Sequence, residues 1–214
     1  MPNSNLVAPE LAAIQIDTMT RSSFILKGAL TAGAVYGAGA VSPFVRQAFA
    51  QDGGGGGDVD ILNFALTLEY LESAFYAMAL KETKGLSGKN KQLAELLAKD
   101  EQAHVEFLQS GITDAGGEPV EAPGVDFKDA FSSEKSFLML AQTFEDTGVS
   151  AYNGAGPAFE SKELLAAAGT IVQIEGRHAA LIRLANGESP TIGAFDETLE
   201  MQEVLDAVMP FVKA

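Results

Sequence analysis

The chain has 214 residues, of which 47% are hydrophobic, and carries a formal net charge of −15 at pH 7. This length suits one ordinary domain with additional segments, and the negative charge argues against a nucleic-acid partner because phosphate binding needs a basic face. The absence of cysteine excludes disulfides, thiolate metal sites and thiol nucleophiles. Any transition metal must therefore be bound by imidazole and carboxylate, a ligand set that suits iron, manganese or zinc.

Residues 1–50 have the pattern of an export signal. A basic start at residues 21–27 precedes an apolar run of small residues at 28–41, and Ala-Phe-Ala at 48–50 offers a cleavage site. Met19 is an alternative start that would give the basic region its usual short length. We therefore predict an exported protein, located in the periplasm, in the cell envelope or outside the cell.

The export route and the fate of this segment stay open. Thr-Arg-Ser-Ser-Phe at residues 20–24 resembles a twin-arginine signal in which Ser22 stands where the second arginine should be. An uncleaved membrane anchor is the alternative to a cleaved signal, because residues 24–44 are just long enough to span a bilayer. Residues 51–57 include five consecutive glycines and indicate a flexible linker, so the folded domain is expected at 58–214.

Four long helices and one short helix are predicted in chain order. Residues 58–84 contain no proline or glycine, and their apolar and small residues recur at helical spacing. The second helix is predicted at 90–113. The third follows a Ser-Ser-Glu capping signal and ends near residue 153, and the fourth, at 161–185, ends before Asn-Gly. The short fifth helix is predicted at 196–208.

The lengths of the connections indicate the topology. The breaks at 85–88 and 154–157 are short, whereas residues 118–131 contain two prolines and a glycine and form a long irregular connection. Two short hairpin loops on either side of a long middle connection predict an all-α four-helix bundle with a crossover between helices 2 and 3. An up-down-up-down bundle would need no such connection.

Both histidines of the chain stand three residues after a glutamate, as Glu101–His104 and Glu175–His178. Residues three apart lie on one face of a helix, so each pair can bind one metal ion. Two such helices facing each other can bind two ions. The first and third helices should then each supply a carboxylate at the same depth.

Counting from the hairpin loops selects Glu69 and Glu145 as those carboxylates. Glu69 and the glutamate of the first pair are equidistant from residue 85, and Glu145 and the glutamate of the second pair are equidistant from residue 160. Residues equidistant from the loop lie at one level of an antiparallel hairpin. Each helical hairpin is therefore predicted to present its two glutamates at the same level.

Two tyrosines extend this pattern. Tyr76 and Tyr152 follow Glu69 and Glu145 by seven residues each, almost two helical turns, and so lie on the same face. We predict that they hydrogen bond to ligand carboxylates and orient them. Ordinary core tyrosines with a polar tip are the alternative.

The doubled pattern resembles the ferritin-like superfamily, in which two helices each carry a glutamate and two carry Glu-x-x-His. The resemblance covers about residues 58–187. The export signal, the Leu-Glu-Tyr-Leu-Glu run at 68–72 and the short C-terminal helix are most similar to exported ferritin-like proteins grouped with plant desiccation-related proteins. The resemblance to the ferritin-like superfamily implies a site for two iron ions, with manganese as the alternative. The implied ligands are Glu69, Glu101, His104, Glu145, Glu175 and His178.

By this resemblance Glu101 and Glu175 would bridge the two metals, the other two glutamates would be terminal carboxylates, and each histidine would bind one ion. Glu72 lies on the face of Glu69 one turn on and is a candidate seventh ligand, an entrance carboxylate or a flanking charge. No catalytic residue beyond the ligands is predicted. Metal is the simplest way to satisfy carboxylates on apolar stripes, because burying them without a cation is costly.

Oxygen and nitrogen ligands with open positions suit redox-active iron or manganese. The leading hypothesis is a dinuclear oxidoreductase that oxidises Fe(II) or reduces O2 or peroxide in stress protection. A non-catalytic metal-binding stress or desiccation protein and a manganese catalase-like enzyme are the alternatives. The expected partners are metal ions and O2 or peroxide, with membrane contact only through an uncleaved N-terminal segment, and a homodimer is compatible with the sequence.

Overall fold

The computed structural model describes residues 57–213 and is built from α-helices and short 3-10 turns. The five helices are α1 (Asp58–Glu82), α2 (Gly88–Asp114), α3 (Glu134–Ala155), α4 (Lys162–Ala185) and α5 (Met201–Val208). Within the described range there is no β-strand, only an isolated bridge between Val125 and Val212. The predicted all-α bundle with a short fifth helix is confirmed.

Side-chain caps fix the starts of α3 and α4, the two helices of the second hairpin. Ser133 and Ser136 form a capping box at the start of α3, in which each hydroxyl accepts from the other residue's backbone N–H at 3.1 and 3.0 Å. The Ser161 hydroxyl caps α4. Asp58, at the start of α1, accepts the N–H groups of Glu160 and Ser161 at 2.8 Å each. The first turn of α1 is therefore tied to the loop between α3 and α4.

The fifth helix is shorter than predicted. It begins at Met201, not near residue 196, because the preceding backbone is bonded to α3: the Leu199 N–H donates to the Ser150 carbonyl at 3.2 Å. A Cβ on Gly154 would lie 1.9 Å from the Leu199 carbonyl oxygen. Only glycine permits this approach, and the contact holds residues 197–200 out of the helix.

The helices enclose a core with three parts. α1 packs on α2 and α3 on α4, and the two hairpins meet through α1 with α3 and α2 with α4. An aromatic cluster centred on Phe75 lies towards one end of the bundle, and an aliphatic cluster around Leu66 and Ile171 lies towards the other. The third cluster is formed where α5 packs against Leu68 and Leu71. In α1, the segment with Glu69 and Glu72 lies between the aliphatic and aromatic clusters.

The long crossover is held by α1 near its start and by the C-terminal segment further along. The buried Asn63 side chain of α1 donates to the Glu118 carbonyl at 3.2 Å and accepts the Val120 N–H at 2.9 Å. Further along, the Lys213 N–H donates to the Gly124 carbonyl at 2.9 Å. The crossover thus lies along the bundle without regular secondary structure of its own beyond a 3-10 turn, Ala130–Ser132.

None of the described helices is long and apolar enough to cross a membrane. The predicted export signal at residues 1–50, including the apolar run at 24–44, lies outside the described residues, and of the predicted linker only Gly57 lies within them. The predictions about export and cleavage therefore stay predictions.

Replacing Asn63 with leucine should lower the free energy of unfolding by about 1–3 kcal/mol, the range for leaving buried polar groups unpaired. The substitution strips the Glu118 carbonyl and the Val120 N–H of their partner. Urea denaturation followed by circular dichroism measures the change. Asn153→Leu is the control, because that amide makes one exposed bond to the Glu197 carbonyl. An equal loss in both variants would contradict the anchoring role.

Candidate metal centre

The six predicted ligand residues converge in the middle of the bundle. The four glutamates have 0% exposure, and the histidines are buried as well. Helices α1 and α3 contribute one glutamate each, and α2 and α4 contribute one Glu-x-x-His pair each. The residues that the structure brings together are Glu69, Glu101, His104, Glu145, Glu175 and His178.

The six residues form two overlapping groups of four. Within each group one nitrogen or carboxylate oxygen per residue lies within 4.8 Å of those of the other three. The first group is Glu69, Glu101, His104 and Glu175, and the second is Glu101, Glu145, Glu175 and His178. Glu101 and Glu175 belong to both groups. This is the arrangement of two adjacent cation positions with two shared carboxylates.

Both histidines direct Nδ1 at the carboxylates. Nδ1 of His104 lies 2.9 Å from Glu175 Oε1, 3.1 Å from Glu101 Oε2 and 3.2 Å from Oε2 of Glu69. Nδ1 of His178 lies 2.8 Å from Oε1 of Glu101 and 3.8 Å from Oε2 of Glu175. The centroids of the two imidazole rings are 6.0 Å apart. Each imidazole therefore faces the two shared glutamates from its own side.

The two tyrosines hydrogen bond across the hairpins. The Tyr152 hydroxyl of α3 donates to Oε1 of Glu69 in α1 at 2.6 Å, and the Tyr76 hydroxyl of α1 donates to Oε1 of Glu145 in α3. Burial, together with the neighbouring glutamate, raises the pKa of each tyrosine well above its usual range, so both remain hydrogen-bond donors. In each pair Oε1 is held by the tyrosine, which leaves Oε2 directed at the centre.

Sequence reasoning missed Asp100. Its Oδ2 lies 3.3 Å from Nε2 of His178. A carboxylate that accepts Nε2–H fixes the tautomer in which Nδ1 is free to bind a cation. The signal in the sequence is an acidic residue immediately before the glutamate of the first Glu-x-x-His pair. The second pair has Ile174 in that position, so the two halves of the pattern differ here.

Glu72 lies at the edge of the centre. It is buried, and its Oε1 lies 3.2 Å from the position that a Cβ on Gly148 would occupy. It belongs to neither group of four residues whose atoms could hold a common ion. The structure thus places it beside the predicted ligands, and a direct role in metal binding stays a prediction.

The protonation equilibria of the centre follow from its burial. Burial raises the pKa of Glu69, Glu72 and Glu145 well above the usual range for a carboxyl, and neighbouring carboxylates raise it further. Burial acts on Glu101 in the same direction, but the imidazoles of His104 and His178 outweigh it and lower its pKa to about 2.

For the two histidines, burial and the neighbouring carboxylates have opposing effects on the pKa. Burial alone would lower the pKa of each imidazole, but contacts with the carboxylates prevail and raise the pKa of His104 to about 12 and that of His178 to about 11. In the metal-free protein, protons on the imidazoles and on some carboxyls therefore neutralise the cluster. A bound cation would take over that role and displace these protons.

Several atoms of the centre could bind a cation and make no hydrogen bond within the described residues. Buried Glu101 Oε1, Glu145 Oε2, both Glu175 carboxylate oxygens and His178 Nδ1 make no hydrogen bond within residues 57–213. The short distance from Nδ1 of His178 to Glu101 does not have the orientation of a hydrogen bond. Buried polar atoms are otherwise almost always paired. Carboxylate oxygens and imidazole nitrogens that converge in this way are suited to binding a metal ion.

A family model described as a ferritin-like domain matches residues 57–188, more than half of the chain. The chain belongs to the ferritin-like family. The predicted resemblance is confirmed at this level, whereas the narrower likeness to exported desiccation-related proteins stays a prediction. Together, the ferritin-like domain and the buried carboxylate–histidine cluster support a metal-binding helical protein.

Known structures support the same fold. The ferritin-like chain is similar to the crystal structure of a conserved hypothetical protein, rv2844, from Mycobacterium tuberculosis, with a TM-score of 0.54 and 19% sequence identity. The similarity covers 64% of this chain and 96% of that chain. At this identity it shows the fold alone. No curated protein matches the chain.

The metal-free protein should lose stability as the pH rises from 6 to 8. The raised pKa values of Glu69 and Glu145 mean that the folded state holds more protons than the unfolded state above pH 4.5, and the histidines act likewise above pH 6.5. Each extra proton lowers the free energy of unfolding by about 1.4 kcal/mol per pH unit. The lowered pKa of Glu101 removes stability only below pH 4.5, outside this range.

Thermal unfolding of chelator-treated protein at several pH values measures this dependence. The Tm should fall from pH 6 to pH 8, and added divalent metal should raise it more at pH 8, because the ligands bind metal in their deprotonated forms. The double variant Glu69→Gln/Glu145→Gln should show a flatter pH dependence. A Tm that rises or stays constant between pH 6 and 8 in the metal-free protein would contradict this account.

Proposed function

We propose that this ferritin-like protein is a dinuclear metal oxidoreductase that oxidises Fe(II) or reduces O2 or peroxide. The proposed cofactor is a pair of iron ions bridged by carboxylates, with manganese as the alternative metal. The observation that carries the proposal is the pair of four-residue groups that share the fully buried Glu101 and Glu175. When bound, two redox-active ions held by shared carboxylates would be able to exchange two electrons with one oxidant molecule.

Each metal position would be held by the two shared glutamates and by a glutamate and a histidine of its own. Glu101 and Glu175 would bridge both ions. Glu69 with His104 would complete one position, and the second glutamate–histidine set, from α3 and α4, would complete the other. Coordination positions that these four residues do not occupy would be available to O2 or peroxide.

The surrounding side chains would keep this arrangement fixed. The hydroxyls of Tyr76 and Tyr152 hold the outer oxygen of each terminal carboxylate, and Asp100 orients His178. The aromatic cluster around Phe75 and the aliphatic cluster around Leu66 exclude bulk water from both ends of the centre. Electrostatic contacts are stronger in such a low-dielectric environment.

The proposed location is outside the cytoplasm, and the proposed role is protection against oxidative or desiccation stress. The signal-like pattern of residues 21–50 supports export. A twin-arginine route would suit a metalloprotein, because that pathway moves folded proteins and the metals could be loaded before export. A reporter fused to residues 1–57 that is secreted only by a host with a working twin-arginine pathway would support this route.

A non-catalytic metal-binding protein is the second candidate. The complete burial of all four glutamates favours tight retention of the ions and leaves little room for exchange with solvent. Metal content without oxidation of Fe(II) or consumption of peroxide above background would favour this candidate. Rapid release of oxygen from H2O2 by the manganese form would instead favour a catalase-like enzyme.

Anaerobic Fe(II) titration of the full-length protein should give about two bound ions per chain, as a site with two shared carboxylates requires. Glu101→Ala combined with His104→Ala should abolish most of this uptake, because Glu101 belongs to both groups. Elemental analysis after desalting measures bound iron, and oxygen consumption then tests turnover. Glu106→Ala is the control, since Glu106 lies on the exposed face of α2. Unchanged uptake in the double variant would refute the proposal.

Tyr76→Phe and Tyr152→Phe should each weaken Fe(II) affinity by about 10–100-fold, the usual effect of removing a group that orients a metal ligand. Each variant removes the hydrogen bond to one terminal glutamate and leaves the aromatic packing in place. Competition with a calibrated chelator measures the affinity. The matched control is Tyr70→Phe, whose hydroxyl is bonded to Gln109 instead. The orienting role is wrong if all three variants bind Fe(II) equally well.

A further inference from the structure

The two groups of four residues differ in how their ligand atoms are hydrogen bonded. One group, here called the His178 position, consists of Glu101, Glu145, Glu175 and His178. The carboxylate oxygens nearest Nδ1 of His178 are Oε1 of Glu101, Oε2 of Glu145 and Oε2 of Glu175, at 2.8, 3.6 and 3.8 Å. All three oxygens and Nδ1 itself make no hydrogen bond within residues 57–213. A cation at this position would therefore displace no hydrogen bond of these atoms.

The other group, here called the His104 position, is closed by hydrogen bonds. It consists of Glu69, Glu101, Glu175 and His104. Nδ1 of His104 is hydrogen bonded to Oε2 of Glu69 at 3.2 Å and to Oε2 of Glu101 at 3.1 Å. The third oxygen near this nitrogen, Oε1 of Glu175 at 2.9 Å, makes no hydrogen bond within the described residues. A cation at this position must therefore displace two hydrogen bonds of the imidazole.

The outer sides of the two imidazoles differ as well. Nε2 of His178 lies 3.3 Å from Oδ2 of Asp100, a contact that keeps Nδ1 directed at the centre. The residue that corresponds to Asp100 in the second hairpin is Ile174, which cannot accept a hydrogen bond. The side chain of His104 is 11% exposed, against 3% for that of His178. His178 is thus supported from behind and enclosed, whereas His104 is nearer to solvent.

We propose that the two metal positions are unequal: the His178 position binds the first ion and retains it, whereas the His104 position fills second and releases its ion sooner. This inference rests on the proposed function, because it concerns the order in which the same centre takes up its ions. Asp100 is a positioning residue that contributes to the difference through His178. Removal of a group that orients a metal-binding histidine typically weakens metal binding about 10–100-fold.

One equivalent of Fe(II) per chain, added anaerobically to the full-length protein before crystallisation, tests the order of filling. A tenfold difference in affinity, the lower end of the effect of one orienting group, places about three quarters of the iron at the favoured position. Anomalous diffraction at the iron edge should therefore show a peak beside His178 with at least about three times the occupancy of the peak beside His104. Equal occupancies, or a stronger peak beside His104, would overturn the inference and leave the proposed function standing.

Asp100→Ala tests the positioning role. It removes the carboxylate behind His178, and alanine is the best helix former, so α2 should stay intact. With one equivalent of Fe(II), the occupancy beside His178 relative to that beside His104 should fall at least about threefold, the result of a tenfold loss of affinity at one position. Asp114→Ala is the matched control, because this aspartate is the exposed last residue of α2. An unchanged occupancy ratio, or an equal loss of iron from both positions, would overturn the role of Asp100.

Release of iron to a chelator measures retention independently of activity. Excess colorimetric Fe(II) chelator, added anaerobically to the fully loaded wild type, should remove half of the iron in a fast phase and the other half at least about tenfold more slowly, in line with the difference in affinity. The two rates should approach each other in Asp100→Ala and stay apart in Asp114→Ala. A single phase in the wild type would overturn the inference alone, since two ions were bound. A wild-type protein that takes up no iron would overturn the proposed function together with it.

Discussion

The burial of four glutamates at one level of a helix bundle is the constraint on which the rest of this structure depends. A buried carboxylate is tolerated only with a partner, because the loss of its hydration is not otherwise recovered. Here the histidines, the tyrosines and the protons implied by the raised pKa values provide partners in the metal-free state. The carboxylate oxygens of Glu175 nevertheless accept no hydrogen bond in the described part of the chain. The polar network therefore has the form of a metal-binding cluster.

The fold meets this constraint by using one hairpin pattern twice and by connecting the two copies. The crossover places α1 beside α3, so that the tyrosine of each helix reaches the glutamate of the other. Two departures from symmetry stand out: Asp100 supports only His178, and Glu72 faces Gly148. The two proposed metal positions thus have different surroundings, which gives a pseudo-symmetric fold two chemically distinct sides.

The sequence predicted most of the helices and their connections correctly, because helical periodicity and glycine-containing breaks are local signals. It also selected Glu69 and Glu145, since depth in an antiparallel hairpin depends only on distance from the loop. The start of α5 was wrong because the contact of Leu199 with Gly154 involves distant backbone. The spacing of seven residues placed each tyrosine on the correct face but could not identify its partner across the bundle. Asp100 was missed because its role depends on which helix faces α2.

Anomalous X-ray diffraction from crystals of the metal-loaded protein, recorded above and below the iron absorption edge, tests the central claim most directly. The account predicts two anomalous peaks inside the bundle, both next to Glu101 and Glu175. One should lie beside His104 and the other beside His178. A single peak, peaks on the protein surface, or two peaks that share no carboxylate would contradict the account.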